Sequence, residues 1–78
     1  MIKAKVGDKV MIECRSGLGS GGPSKVTKVT KETMAVEKNG DMVTKTKEIR
    51  AIWCDKRAFD AKSGIALNPP WMYYIRDL

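Results

Sequence analysis

Apolar side chains recur along this chain mostly at every second position and in short runs, with little of the three-to-four spacing of an amphipathic helix. Asp8-Lys-Val-Met-Ile-Glu-Cys14 sets Val10, Ile12 and Cys14 against Lys9, Met11 and Glu13, the period of a strand with one buried face. Residues 25 to 30 are rich in β-branched side chains, but Val26 and Val29 are three apart, so a bulged or strongly bent strand is needed to put both inside. Thr33-Met-Ala-Val-Glu37 reads as a third strand with Met34 and Val36 inward. Asn39-Gly40 supplies the strongest hairpin signal, because both central residues of a type I′ turn need positive φ. Residues 42 to 46 then return as a fourth strand, and residues 49 to 54 form a fifth after a short turn at Lys47-Glu48.

The last third is built differently. Phe59, Ile65, Leu67, Trp71, Tyr73 and Ile75 carry its apolar surface, while Ser63-Gly64 and Asn68-Pro69-Pro70 mark turns or extended connections. Tyr73-Tyr74-Ile75 is expected to close the fold as a strand, with a short terminal helix as the alternative. Several short strands in 78 residues predict an all-β fold. The expected form is one domain over residues 1–78, a small SH3-like barrel of about five antiparallel strands with a decorated C-terminal segment, and an OB-like barrel stands as the runner-up.

Between the first two strands lies RSGLGSGGPSK, residues 15 to 25, which contains Gly17-x-Gly19-x-x-Gly22. A dinucleotide fingerprint requires such glycines to follow a parallel strand and open a helix, whose terminal amides receive the pyrophosphate. Here Pro23 and a Val/Thr-rich strand follow, and in Gly17-x-x-x-x-Gly22 the next residues are Pro23-Ser24 where a phosphate loop places Lys-Ser, so its lysine is missing. The stretch is therefore expected to be a long glycine-rich loop, flanked by Arg15 and Lys25.

At Val6-Gly-Asp-Lys-Val-Met-Ile-Glu-Cys14, followed by glycines and Lys25-Val-Thr-Lys-Val29, the chain resembles a KOW-type or related SH3-like barrel. In that family Gly-Asp-x-Val-x-Ile opens the first strand, and spaced valines resume in the second. The matching positions are Gly7, Asp8, Val10, Ile12, Val26 and Val29. Arg15 stands where the early glycine is expected, and Pro23-Ser24 interrupts the approach to the second strand. The resemblance covers the first 30 to 40 residues and implies a barrel that contacts RNA, DNA or a protein of the transcription and translation machinery. The C-terminal third lies outside it and is compatible with a small phage-type accessory protein.

Charge narrows the classes of partner. Fifteen Lys and Arg against nine Asp and Glu give +6, and residues 1–50 hold eleven basic and six acidic side chains, so +5 of the excess. Such a balance attracts phosphate polyanions or acidic proteins. Lys9, Arg15, Lys25, Lys28, Lys31, Lys45 and Lys47 are the candidate nucleic-acid contacts, against the plainer reading of solvated lysines guarding strand edges. Trp71, directly after two prolines, and Tyr74, opposite in strand parity to Tyr73, are the candidate protein-interaction residues; Trp53 and Tyr73 are expected in the core.

Two function classes follow: a nucleic-acid-binding barrel, or an adaptor or inhibitor that docks on a larger protein through its aromatic C-terminal third. Enzymatic chemistry is not expected. Histidine is absent, Asp55 and Asp60 read as turn or salt-bridge residues, and no cofactor or metal is called for. Cys14 and Cys54 read as thiols of an intracellular protein. No run of about 18 apolar residues could span a membrane and the start lacks a secretory apolar stretch, so a cytoplasmic location is expected.

Overall fold

The structure, a computed structural model, describes residues 1–17 and 21–78. Its elements are β1 (Lys9–Cys14), β2 (Gly22–Lys25), β3 (Lys28–Asn39), β4 (Met42–Cys54), β5 (Arg57–Asp60) and β6 (Tyr73–Asp77). They form two antiparallel three-stranded sheets, ordered β2-β1-β6 and β3-β4-β5. Neither sheet closes on itself. The all-β expectation holds, and β6 is the strand expected at Tyr73-Tyr74-Ile75.

β1 obeys its alternation. Val10 and Ile12 are buried and Cys14 is half-buried on the inner face, while Lys9 is exposed on the outer one. The expected second strand divides at Val26-Thr27, where the chain turns from one sheet into the other. Val26 N–H donates to the Asp8 carbonyl at 2.8 Å and Thr27 N–H to the Trp53 carbonyl at 2.8 Å. This bend buries Val26 and leaves Val29 packed against the core, resolving their three-residue spacing.

Several expected boundaries shift. The glycine-rich loop ends at Gly22, because Gly22-Pro-Ser-Lys25 pairs with β1 through Ile12↔Gly22 and Met11↔Pro23. Leu18, Gly19 and Ser20 of that stretch lie outside the described residues. The turn expected at Lys47-Glu48 is absent: β4 runs unbroken for 13 residues against a 12-residue β3. Their hairpin turns at Gly40-Asp41, one residue later than Asn39-Gly40, with φ +64° at Gly40 and Asn39 already paired to Met42. Glycine at the first central position is the requirement of a type II′ turn.

Most of the hairpin beyond Lys31 and Arg50 extends past the body, so Met34 and Val36 are exposed rather than inward, as are Met42 and Val43. Two register shifts interrupt this arm. Ala35 faces Thr46, Glu37 faces Lys45 and Lys38 faces Val43, so Val36 is the extra residue on β3 and Thr44 the extra residue on β4.

Between the sheets, Ile2, Val10, Ile12, Val26, Ile52, Cys54, Phe59 and Ile75 form the core, and Phe59 is its largest fully buried side chain. Burying a phenylalanine of this kind stabilises by about 1.5–3 kcal/mol. Residues 64–67 link the two sheets at their far side. Phe59 bridges Ala66, Ile65 bridges Tyr74, Leu67 N–H donates to the Ala58 carbonyl at 2.8 Å, and Ile75 N–H donates to the Gly64 carbonyl at 2.8 Å. No helix is long and apolar enough to cross a membrane among the described residues.

Candidate nucleic-acid interface

The outer face of the first sheet follows from register. Lys9 stands opposite Lys25, and Met11 lies between Pro23 and Arg76. Glu13 stands opposite Tyr74. Paired residues share a face, so this surface runs from two lysines across Met11 and Pro23 to a polar cluster of Glu13, Tyr74 and Arg76.

The two cationic ends differ in their company. Glu13 accepts a hydrogen bond from the Tyr74 hydroxyl at 2.5 Å and from Arg76 Nε at 2.6 Å, the latter also an ion pair. The Tyr74 hydroxyl and the Arg76 guanidinium together hold the Glu13 carboxyl below its ordinary range. The same contact with Glu13 raises the Tyr74 phenol and the Arg76 guanidinium above theirs. At the other end, neither Lys9 nor Lys25 forms an ion pair among the described residues. Like charges placed directly opposite across strands are destabilising.

The remaining candidates are dispersed. Lys28 lies 4.4 Å above the Trp53 ring on the outer face of the second sheet, and Lys47 shares that face at the Met34 register. Lys31 occupies the opposite face and pairs with Glu48 at 3.7 Å. Lys45 stands on the arm opposite Glu37. Arg15 follows β1 and lines a shallow concavity with Ser16, Pro70, Trp71 and Met72, held there by Arg15 N–H donating to the Met72 carbonyl at 2.7 Å. Thus the structure brings together Lys9 with Lys25, and Arg15 with Trp71, but does not gather all seven cations on one surface.

No family model, curated protein or solved structure matches the chain. The functional reading therefore rests on the geometry of the chain itself.

The aromatic residues divide in the same way. Trp71 is 59% exposed and Met72 49%, beside Pro70, whose peptide bond to Pro69 is cis. Tyr73 packs against the core under Arg57, whose guanidinium lies 4.7 Å from the ring. Tyr74 faces outward, as its parity required, but its hydroxyl is engaged by Glu13. Trp53 departs from the expected core position: it is half-buried on the outer face of the second sheet, with Nε1–H donating to Thr30 Oγ1 at 2.8 Å. The reason is parity, since Ile52 and Cys54 take the inward positions on either side of it.

Glu13, Met11 and Arg76 were not among the sequence candidates, although phase could have found them: Glu13 and Met11 share the parity of Lys9, and Arg76 that of Tyr74. Asp55 and Asp60 do serve turns. Asp55 takes φ +60° in the β4–β5 hairpin and its N–H donates to Thr27 Oγ1, while Asp60 Oδ1 accepts from Lys62 N–H at 2.8 Å. Among the described residues no group of Cys, Asp and Glu is placed to hold a metal ion.

Proposed function

We propose that the chain is an SH3-like barrel that binds nucleic acid through the outer face of its first sheet. The barrel reading is supported by connectivity. A bent second segment, β2 and β3, serves both sheets across Val26-Thr27, and residues 64–67 bridge β5 to β6 on the other side. The observation that carries the binding reading is the Lys9–Lys25 pair, two cations opposed across adjacent strands with no carboxylate paired to either among the described residues. A phosphate between them would relieve their repulsion and give each ammonium a charge-assisted partner.

This contact is smaller than the seven cations of the sequence suggest. Two phosphate contacts correspond to a slope of about −2 in log K against log salt, hence about a tenfold loss of affinity between 50 and 200 mM. Titration of fluorescent single-stranded RNA, single-stranded DNA and duplex DNA across that range tests the reading. Lys9→Glu and Lys25→Glu should each weaken binding and flatten the slope by about one unit. Binding that ignores salt, or that is unchanged in both variants, contradicts it.

A second reading has its own observation: exposed Pro70, Trp71 and Met72 share one concavity with Arg15. Such an aromatic and cationic grouping suits a protein partner, with Trp71 as the anchor. Trp71→Ala would then abolish capture of that partner while leaving nucleic-acid affinity intact.

A further inference from the structure

The pairing of β1 with β6 does not stop at the end of the strand. Cys14 stands opposite Tyr73, and the bond from Arg15 N–H to the Met72 carbonyl joins the next pair in the same register. Arg15 therefore has the parity of Lys9, Met11 and Glu13, and the outer face of the first sheet runs on into the concavity that Arg15 lines with Pro70, Trp71 and Met72. Arg15 lies six positions after Lys9, which makes this track about 20 Å long.

Cations stand at both of its ends, Lys9 with Lys25 at one and Arg15 at the other, and among the described residues none of the three is in an ion pair. Between them Met11 and the exposed Pro23 form an apolar floor, and the charge of Glu13 is met by Arg76. The far end differs from the near one in carrying Trp71, an indole 59% exposed in the same concavity as the Arg15 guanidinium. A nucleotide joins an aromatic base to a negative charge, which matches Trp71 beside Arg15, and a strand of nucleotides repeats that charge along the track towards Lys9 and Lys25. In a duplex the faces of the bases are stacked on one another and closed to a tryptophan, whereas in a single strand they are open to it. The aromatic end thus distinguishes the two forms, which lysines that meet phosphates alone do not.

We propose that the nucleic acid bound by this face is single-stranded, with one base stacked on Trp71 and the backbone following β1 to Lys9 and Lys25. The stacking contact rests on the phosphate contact proposed for those two lysines and adds to it the form of the ligand. Because every base has a π-face, it tolerates changes of sequence.

Fluorescence anisotropy at about 50 mM salt tests it with three labelled probes: oligothymidylate of about twelve nucleotides, a duplex of the same length, and an abasic strand with the same number of phosphates. Wild type should prefer oligothymidylate to the duplex, and should bind it about fivefold or more tighter than the abasic strand, the effect of one stacked base. Trp71→Ala should lose that factor on oligothymidylate and nothing on the abasic strand, while Trp71→Phe, which keeps an aromatic face, should retain most of it. The abasic comparison uses the wild-type chain, so it stands whatever Trp71→Ala does to the local fold. Equal affinity of wild type for the intact and abasic strands, a preference for duplex, or unchanged affinity in Trp71→Ala overturns the proposal. If Lys9→Glu still weakens binding in that case, the phosphate contact survives alone and the concavity is left to a protein partner. Absence of binding to all three probes overturns both.

Discussion

Asn68 does with its side chain what a neighbouring strand does with its backbone. Its Oδ1 accepts from Ala58 N–H at 3.1 Å and its Nδ2 donates to the Lys56 carbonyl at 3.0 Å, extending the backbone bond from Leu67 N–H to the Ala58 carbonyl. Ala58 is 3% exposed, so Asn68→Ala strands a backbone donor that water reaches poorly. That loss costs about 1–3 kcal/mol, and the bond to the exposed Lys56 carbonyl adds about 0.5 kcal/mol. The expected total is about 2 kcal/mol, against a stability of about 4–12 kcal/mol for 78 residues. Urea unfolding followed by tryptophan fluorescence and circular dichroism measures it as a lowered midpoint at constant slope.

Asn68→Asp provides the sharper test. It keeps the acceptor for Ala58 but turns a carboxylate oxygen towards the Lys56 carbonyl, which disfavours the charged form and raises the introduced carboxyl's pKa in the folded state. For an acid whose folded pKa is raised, relative stability is gained as pH falls through that value. The protonated group also donates to Lys56 as the amide did. The deficit of this variant relative to wild type should therefore shrink on acidification. An Asn68→Ala cost below about 0.5 kcal/mol, or an Asn68→Asp deficit that grows in acid, would refute the assigned role.

Gly64 has φ +79°, and a Cβ there would strike the carbonyl oxygen of Ile75, the β6 residue whose N–H donates to the Gly64 carbonyl. Gly64→Ala should lower stability by more than about 1 kcal/mol, from backbone strain and the displaced strand together, as read by the urea midpoint. At Glu13 the carboxyl is depressed, so its contribution is present above the ordinary carboxylate pKa and is lost as pH falls through the lower folded value; Glu13→Gln should flatten that acid limb. Absorbance titration of the same variant should bring one tyrosine back down towards about 10, since Glu13 is what raises Tyr74.

The sequence made the inner faces of β1 and β6 legible because each is a short strand with one buried side, where alternation is undisturbed. The bend between Val26 and Val29 was also readable, since two inward valines three apart have few other solutions. β2 was hidden because Gly22-Pro-Ser-Lys25 has no strand-forming residue, and pairing to β1 alone makes it extended. Gly21 shows how close that approach is: a Cβ there would strike the Ile12 carbonyl. β5 was missed because four residues flanked by Arg57 and Asp60 carry no period long enough to read.

The candidate site was legible only in part, for a related reason. A lysine's face depends on parity, and parity is reset by the bend at Val26-Thr27 and by the bulges at Val36 and Thr44. Lys28 and Lys31 are close in sequence yet occupy opposite faces, whereas Lys9 and Lys25 are sixteen positions apart and directly opposed. Charge counting finds the cations, and cross-strand pairing decides which of them meet.

The two bulges of the arm also constrain how its length can change. Ala35 faces Thr46 and Asn39 faces Met42, so the extra residue on β3 is balanced by the extra residue on β4 and the frame at the tip matches the frame at the base. Removing Val36 alone would close the bulge on β3, setting Ala35 and Glu37 side by side against the consecutive Thr46 and Lys45, and would leave the bulge at Thr44 in place. Removing Thr44 as well would make the ladder regular from Ala35–Thr46 to Asn39–Met42 and leave the Gly40-Asp41 turn where it is. In this arm the positions of Val36 and Thr44 are where one strand can lose a residue without changing the pairs on either side, whereas a deletion at a paired position must be taken up by a new bulge or a change of turn.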